Sequence, residues 1–368
     1  MNKTLKILLA VFFVIIIVFS CFALIENEKS KIPFDFDESL VSNSFNNAYM
    51  SGGDLAAVNG YLCFNYKAHN TDFTGLLNYG LYKIGGKGKS RIYWEGPNLW
   101  PYECLYTLQV YKDNLLFDEY YLYGDNTYTA SGFNGNIYHI NTDTGSIELF
   151  STIKDAKKNK YEYYRAIDDK IYVFSKDKIY LSTDCENVEV IFDKLSDIKL
   201  EDAYVKDCYI YGNTLTYITR DGYVQMYDYV DKKILFNELF DLKDINAEYY
   251  YDIQNIVVCK DKIFFTVCTD NGFEIYNVSD GFKKIYTQLD ISDYYCYKFT
   301  NCYDKYILVS SETGGIDLIN TETEKITNIV KFGTDDVYVV GDKWIYYVDY
   351  KNNLHRVTYD GKIDEKIF

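Results

Sequence analysis

The sequence predicts an all-β protein, a β-propeller of seven four-stranded blades, and three observations carry that expectation. A short apolar strand, a tight turn and a second strand rich in Tyr and Ile recur seven times along the chain. Only three Pro occur in 368 residues, which leaves strands uninterrupted. No long stretch beyond the first residues carries helical periodicity with caps.

The seven turns are Asn59-Gly60, Lys112-Asp113-Asn114, Asp168-Asp169-Lys170, Tyr211-Gly212-Asn213, Lys260-Asp261-Lys262, Tyr303-Asp304-Lys305 and Gly341-Asp342-Lys343. Just after each stands an apolar anchor: Leu62, Leu115, Ile171, Leu215, Ile263, Ile307 and Ile345. The anchors are separated by 53, 56, 44, 48, 44 and 38 residues. A four-stranded blade takes roughly 40–50 residues, so the first two units carry insertions. These fall between the second and third strands, over Lys67–Asn78 and Asp118–Asn134.

The last unit shows the order of strands most plainly. Val337–Val340 is the first strand, Trp344–Asp349 the second, Leu354–Tyr359 the third and Lys362–Phe368 the fourth. Asp360-Gly361 between the last two is a hairpin signal. An all-β sandwich or a pair of barrels is the competing fold, but neither gives a reason for seven similar units. Blades, by contrast, bury their faces on one another. A count of six or eight stays open, because residues 33–50 have room for one more strand.

The N-terminus predicts the location. Ile7 to Ile25 is a run of 19 residues without a charge, close to the ~20 that span a bilayer core. Lys3 and Lys6 precede it, and Glu26 and Glu28 follow. The positive-inside rule then sets the rest of the chain on the extracytoplasmic side of the cell membrane. The organisation expected is a cytoplasmic n-region (1–6), an anchor helix or signal segment (7–25), a linker (26–50) and the propeller (51–368). Three versions of the segment compete: an uncleaved anchor, a lipoprotein and a cleaved signal peptide. The length of the run favours the anchor. Val18-Phe19-Ser20-Cys21 resembles a bacterial lipobox, which implies lipidation at Cys21.

Composition excludes some partners. Net charge is −16, with Arg only at 91, 165, 220 and 356. With no basic stripe to meet phosphates, nucleic acid is not an expected partner. Eight Cys besides Cys21 are an even number, as a disulfide framework would need. Yet Cys63, Cys208, Cys259 and Cys268 sit in apolar strand patterns, so mostly free, buried thiols are expected.

No catalytic constellation stands out. There is no nucleophile elbow, no phosphate-cradling loop and no EF-hand spacing. His69 has no ligand-spaced neighbour, and His139 and His355 share one third-strand position, which reads as structural. Asp241 with Asp244, and Asp35 to Glu38, read as solvated acidic loops rather than calcium sites. No catalytic residue, metal or cofactor is therefore expected, although a carboxylate pair of a glycoside hydrolase is invisible without geometry.

Aromatic residues carry the binding expectation. Tyr numbers 41, and clusters precede several first strands: Trp100 and Tyr102; Tyr161, Tyr163 and Tyr164; Tyr249, Tyr250 and Tyr251; Tyr294, Tyr295 and Tyr297. The second insertion adds Tyr120, Tyr121, Tyr123 and Tyr128. In a propeller the loops entering first strands and the loops joining second to third strands share one face. Candidate ligand-binding residues are Trp100, Tyr102, Tyr120, Tyr121, Tyr123, Tyr128, Tyr164, Tyr250 and Tyr295. Tyr offers rigid area with a polar tip, suited to sugar rings and peptides. Packing between blades is the competing use of the same residues.

Within the last unit, Tyr346-Tyr347-Val348-Asp349, Leu354, Arg356 and Asp360-Gly361 resemble the YWTD-type repeat of low-density-lipoprotein-receptor-like propellers and their bacterial surface relatives. Those propellers have six blades. The resemblance implies a binding role, supplies no catalytic residue and includes families of unassigned function. The function expected is a membrane-tethered binding or scaffolding protein for cell-surface polysaccharide or protein. The alternatives are an extracellular glycoside hydrolase or lyase, and a structural component of an envelope complex.

Overall fold

The computed structural model describes residues between 55 and 367, apart from internal stretches of which the longest are 67–79, 93–107, 118–134, 194–207 and 289–299. The expected anchor segment, the linker and Cys21 lie outside the described residues.

Seven four-stranded antiparallel sheets are formed among the described residues, each from four consecutive strands. The first holds β1 (Leu55–Val58), β2 (Tyr61–Tyr66), β3 (Gly80–Gly85) and β4 (Gly88–Ile92). The second holds β5 (Leu108–Tyr111), β6 (Asn114–Phe117), β7 (Asn136–Ile140) and β8 (Ile147–Thr152). The third holds β9 (Tyr161–Ile167), β10 (Lys170–Ser175), β11 (Ile179–Ser182) and β12 (Glu189–Phe192). The fourth holds β13 (Cys208–Tyr211), β14 (Thr214–Ile218), β15 (Tyr223–Asp228) and β16 (Lys233–Leu239). The fifth holds β17 (Ile253–Cys259), β18 (Lys262–Thr269), β19 (Gly272–Asn277) and β20 (Lys283–Gln288). The sixth holds β21 (Thr300–Tyr303), β22 (Tyr306–Ser310), β23 (Ile316–Asn320) and β24 (Ile326–Val330). The seventh holds β25 (Thr334–Val340), β26 (Trp344–Asp349), β27 (Leu354–Thr358) and β28 (Asp364–Lys366).

First strands lie beside one another: β1 against β5, β5 against β9, β13 against β17 and β17 against β21. The ring closes because β1 also lies against β25, without exchanging a strand between the first and last sheets. This is the all-β propeller that the repeat predicts. The long connections of the first two units fall between β2 and β3 and between β6 and β7, where the spacing puts them.

Burial explains why the sheets need one another. All seven apolar anchors, Leu62, Leu115, Ile171, Leu215, Ile263, Ile307 and Ile345, are 0% exposed. They open the second strands, which are the most enclosed; β10, β14 and β26 are buried at nearly every position. The fourth strands face solvent, with β16 exposed at six of seven positions and β28 at all three. Hydrophobic clusters straddle the sheets. One joins Phe174, Ile179 and Phe192 to Ile210, Leu215 and Tyr217 across the third and fourth blades. Another joins Leu318 and Ile329 to Ile345 and Val357 across the sixth and seventh. Each blade thus removes apolar surface from water only by packing on its neighbours.

The tight turns fit the sequence signal. Lys112, Asp169, Gly212, Lys260 and Asp304 each adopt positive φ in the turn between first and second strands. A two-residue hairpin demands that conformation. Gly361 meets a second constraint, since a Cβ there would stand 3.0 Å from Ile329 Cα in the neighbouring blade.

Candidate functional site

Of the nine aromatic residues expected to bind a ligand, Tyr164 falls within the described residues; Trp100, Tyr102, Tyr120, Tyr121, Tyr123, Tyr128, Tyr250 and Tyr295 lie outside them. Tyr164 is 2% exposed, in a cluster with Tyr111, Leu116, Ile137 and Tyr180 between the second and third blades. With Tyr161 and Tyr163 it belongs to β9 itself, not to a loop before it. That corrects the expectation for this group. The strand begins seven residues before the turn; Tyr163 and Tyr164 alternate into the two blade interfaces, and a bulge between Tyr161 and Tyr163 returns Tyr161 to the side of Tyr164. Tyr161 packs edge-on against Tyr180, and Tyr163 stacks on Phe174 at 4.6 Å between ring centres.

Tyrosine hydroxyls also join the blades. Tyr111 donates to the Thr183 carbonyl at 2.8 Å, from second blade to third. Tyr172 shares a 2.9 Å hydrogen bond with Tyr229, from third to fourth. Tyr286 donates to Asp317 at 2.6 Å, from fifth to sixth. Burial, then the neighbouring Asp317 carboxylate, pushes the Tyr286 phenol well above its usual range.

At the end of the ring carrying the turns between first and second strands, side chains from one blade reach the turns of the next. Lys83 reaches the Thr142 carbonyl at 2.5 Å, and the Lys112 amide donates to Asp169 at 3.0 Å. Lys170 reaches Asn213 at 2.9 Å, Lys260 reaches Glu322 at 2.8 Å and Lys283 reaches Glu324 at 2.6 Å.

Both histidines lie in third strands but not at one repeat position: His139 pairs with Leu116, one residue past the anchor Leu115, and His355 with Tyr347, two past Ile345. His139 in β7 approaches Asn114 of β6 at 3.2 Å and Glu148 of β8 at 3.8 Å. His355 in β27 stacks on Tyr347 of β26 and stands 3.3 Å from Asp364 of β28 and 3.4 Å from Asp349. Tyr347 donates to Asp364 at 2.8 Å, and burial with that carboxylate raises its phenol. In the fifth blade, Glu274 accepts from both Tyr276 and Lys284. The carboxylates of Asp241 and Asp244 accept backbone N–H groups of Lys243 and Asp241 at the one-turn 3-10 helix Leu242–Ile245. His69 and residues 35–38 lie outside the described residues.

Cys63, Cys185, Cys208, Cys259 and Cys302 are free thiols, and burial holds Cys63 up at about 12. Cys268 departs from the expectation of a buried thiol, since it is disulfide-bonded. It stands one residue from the end of β18, where enclosure gives way to partial exposure.

The signature residues of the last unit have structural roles. Tyr346 and Tyr347 are buried in β26. Arg356 lies 4.2 Å from the centre of the Trp344 ring and pairs with Glu365 at 2.8 Å. Asp360 accepts from Thr358 and from the Lys362 amide in the hairpin.

The exposed large apolar side chains gather elsewhere, on the fourth blade. Val230, Ile234, Leu235 and Leu239 are 49–61% exposed, on β16 and the turn before it. Nothing in the spacing of the sequence singles this strand out, because every fourth strand occupies the same place in its unit.

No family model matches the chain, and no curated protein matches it. Solved structures similar to it include BamB from Moraxella catarrhalis, at 13% identity and a TM-score of 0.41 over 85% of this chain and 87% of that one. A computationally designed protein, Ika8, is similar at 11% identity and a TM-score of 0.44, over 83% and 82% of the two chains. A chain of a Mitotic Checkpoint Complex is similar at 9% identity and a TM-score of 0.45, over 89% and 92%.

Proposed function

We propose that this protein is a membrane-tethered extracytoplasmic binding scaffold, a propeller that holds a cell-surface polysaccharide or protein on its aromatic face and performs no chemistry of its own. The observation that carries this reading is how the titratable clusters are used. His355 with Asp349, Asp364 and Tyr347 ties together the strands of one blade. Glu274 with Tyr276 and Lys284 does the same in another. Tyr286 with Asp317 joins two blades. Their hydrogen-bonding capacity goes into a rigid ring, which suits recognition by pre-organised loops.

The apolar run 7–25 behind Lys3 and Lys6 supports the tether. The disulfide at Cys268 supports an oxidising compartment, where such bonds persist. The second strands of the first two blades, β2 and β6, end on the same side of the ring, which supports one shared face for the connections that follow them. Binding of the full-length protein, in detergent, to isolated cell-wall polysaccharide and to a membrane-protein fraction tests the reading. Retention on one fraction without cleavage of it is expected. Turnover of the polysaccharide, or retention on neither, would overturn the proposal.

A further inference from the structure

Of the nine cysteines, Cys63, Cys185, Cys208, Cys259 and Cys302 are free thiols and Cys268 is disulfide-bonded. A disulfide needs two sulfurs, so the other end is Cys21, Cys104 or Cys296, all outside the described residues. The place of Cys268 in the fold decides between them. In the fifth sheet Cys268 of β18 pairs with Phe273 of β19, and Phe273 pairs with Gln288 of β20. The chain therefore leaves the fifth blade level with Cys268 and two strands away, about 10 Å at the ordinary strand spacing. Ile253, which opens β17, pairs with Val267 beside Cys268, so first strands begin at this same end of the ring.

From Gln288 the chain runs to Thr300, the start of β21, and β21 lies against β17. Cys296 stands on that path, eight residues after Gln288 and four before Thr300. Four extended residues reach up to ~14 Å, enough to return from β21 to the end of β18. Cys104 stands four residues before Leu108 of β5, in the second blade, whose first strand borders β1 and β9 rather than β17. Three places round a seven-blade ring is about 22 Å at the ~10 Å spacing of packed sheets, beyond that reach. Cys21 belongs to the apolar run 7–25, which the proposed tether keeps in the membrane.

We propose that Cys268 and Cys296 are joined by a disulfide that ties the segment entering the sixth blade to the fifth. Forming it links the two sulfurs as two protons and two electrons pass to an exchanging disulfide, which leaves as two thiols. Tyr294, Tyr295 and Tyr297 flank Cys296, so the bond anchors this aromatic group to the fifth blade. The loop it closes also restricts the unfolded chain, which stabilises the ring. Cys259 and Cys302, in β17 and β21 of the same two blades, do not compete: both are thiols, and Cys259 donates to the Asp304 carbonyl at 3.0 Å. The exclusion of Cys21 rests on the membrane tether; the choice of Cys296 over Cys104 rests on the path of the chain alone.

Peptide mapping tests the pairing, on full-length protein isolated from membranes in detergent, unfolded in N-ethylmaleimide to trap free thiols and digested with trypsin. Cleavage after Lys and Arg puts Cys268 on 263–283, Cys296 on 285–298, Cys302 on 299–305, Cys104 on 92–112 and Cys21 on 7–29. Peptides 263–283 and 285–298 are expected as one linked species that separates on reduction, with maleimide on Cys302. Melting temperature is expected to fall in reductant for the wild type and Cys104→Ser, but not for Cys268→Ser with Cys296→Ser. A link from 263–283 to 92–112, to 7–29 or to a second 263–283, maleimide on Cys268, or a reductant response that survives in the double variant would overturn the proposal. A link to 7–29 would also take Cys21 out of the membrane, whereas the other outcomes leave the tether standing.

Discussion

Tyr286 of the fifth blade donates its phenolic proton to Asp317 of the sixth across 2.6 Å, and Asn328 donates to the other oxygen of the same carboxylate at 2.8 Å. Tyr286→Phe therefore removes one of the two donors and keeps the ring packed against Phe273. The expected loss is about 1–2 kcal/mol at neutral pH, read by urea denaturation. The phenol is raised in the folded state, so its proton is held longer there than in the unfolded chain. Its contribution is complete below pH ~10, the ordinary tyrosine value, and fades as pH rises beyond it. Tyr347 shifts the same way. Melting temperature is expected to fall above pH ~10 and to fall less steeply in Tyr286→Phe.

Two hairpin glycines separate backbone conformation from close approach. Gly212 has φ 57° and open space around it, whereas Gly361 has φ 68° and would bring a Cβ to 3.0 Å from Ile329 Cα. Gly212→Ala is expected to cost about 1–2 kcal/mol, the left-handed term alone. Gly361→Ala is expected to cost more, because the sixth and seventh blades must separate. Equal losses in denaturation would show that the contact carries no weight.

Tyr164→Ala empties a site 2% exposed between the second and third blades. The expected cost is about 3–5 kcal/mol, the range for large buried aromatics. Partner retention by the remaining folded protein is expected to match that of the wild type. A binding defect at undiminished stability would restore Tyr164 to the ligand site.

The ion pair of Lys260 with Glu322 is short at 2.8 Å, but both side chains are nearly half exposed. Solvent and salt screen such pairs. Lys260→Ala is expected to leave the melting temperature within experimental error at physiological salt. A clear drop would mean that the lysines at this end of the ring act as a network.

The parts of the fold legible in the sequence are those fixed by neighbours along the chain. Leu62 and its six counterparts announce themselves by position relative to a turn, and all seven are fully buried. Trp344 to Asp349 is a strand in both readings, preceded by the three-residue turn 341–343. What joins residues far apart in the chain was not legible. Tyr286 and Asp317 meet because blades stack, and no local pattern separates a Tyr that ties blades from one that faces a ligand. That ambiguity explains Tyr164, which shares its composition with loop tyrosines and its surroundings with the core. Cys268 was misread for a related reason, since an apolar strand pattern does not reveal where along the strand enclosure ends. The openness of β16 was equally hidden, because exposure at an edge depends on what the rest of the fold leaves uncovered.

Retention of Tyr121→Ala with Tyr123→Ala, compared with the wild type on the same cell-envelope fraction, tests the binding scaffold most directly. The account predicts weakened retention with an unchanged melting temperature. Unchanged retention would contradict it.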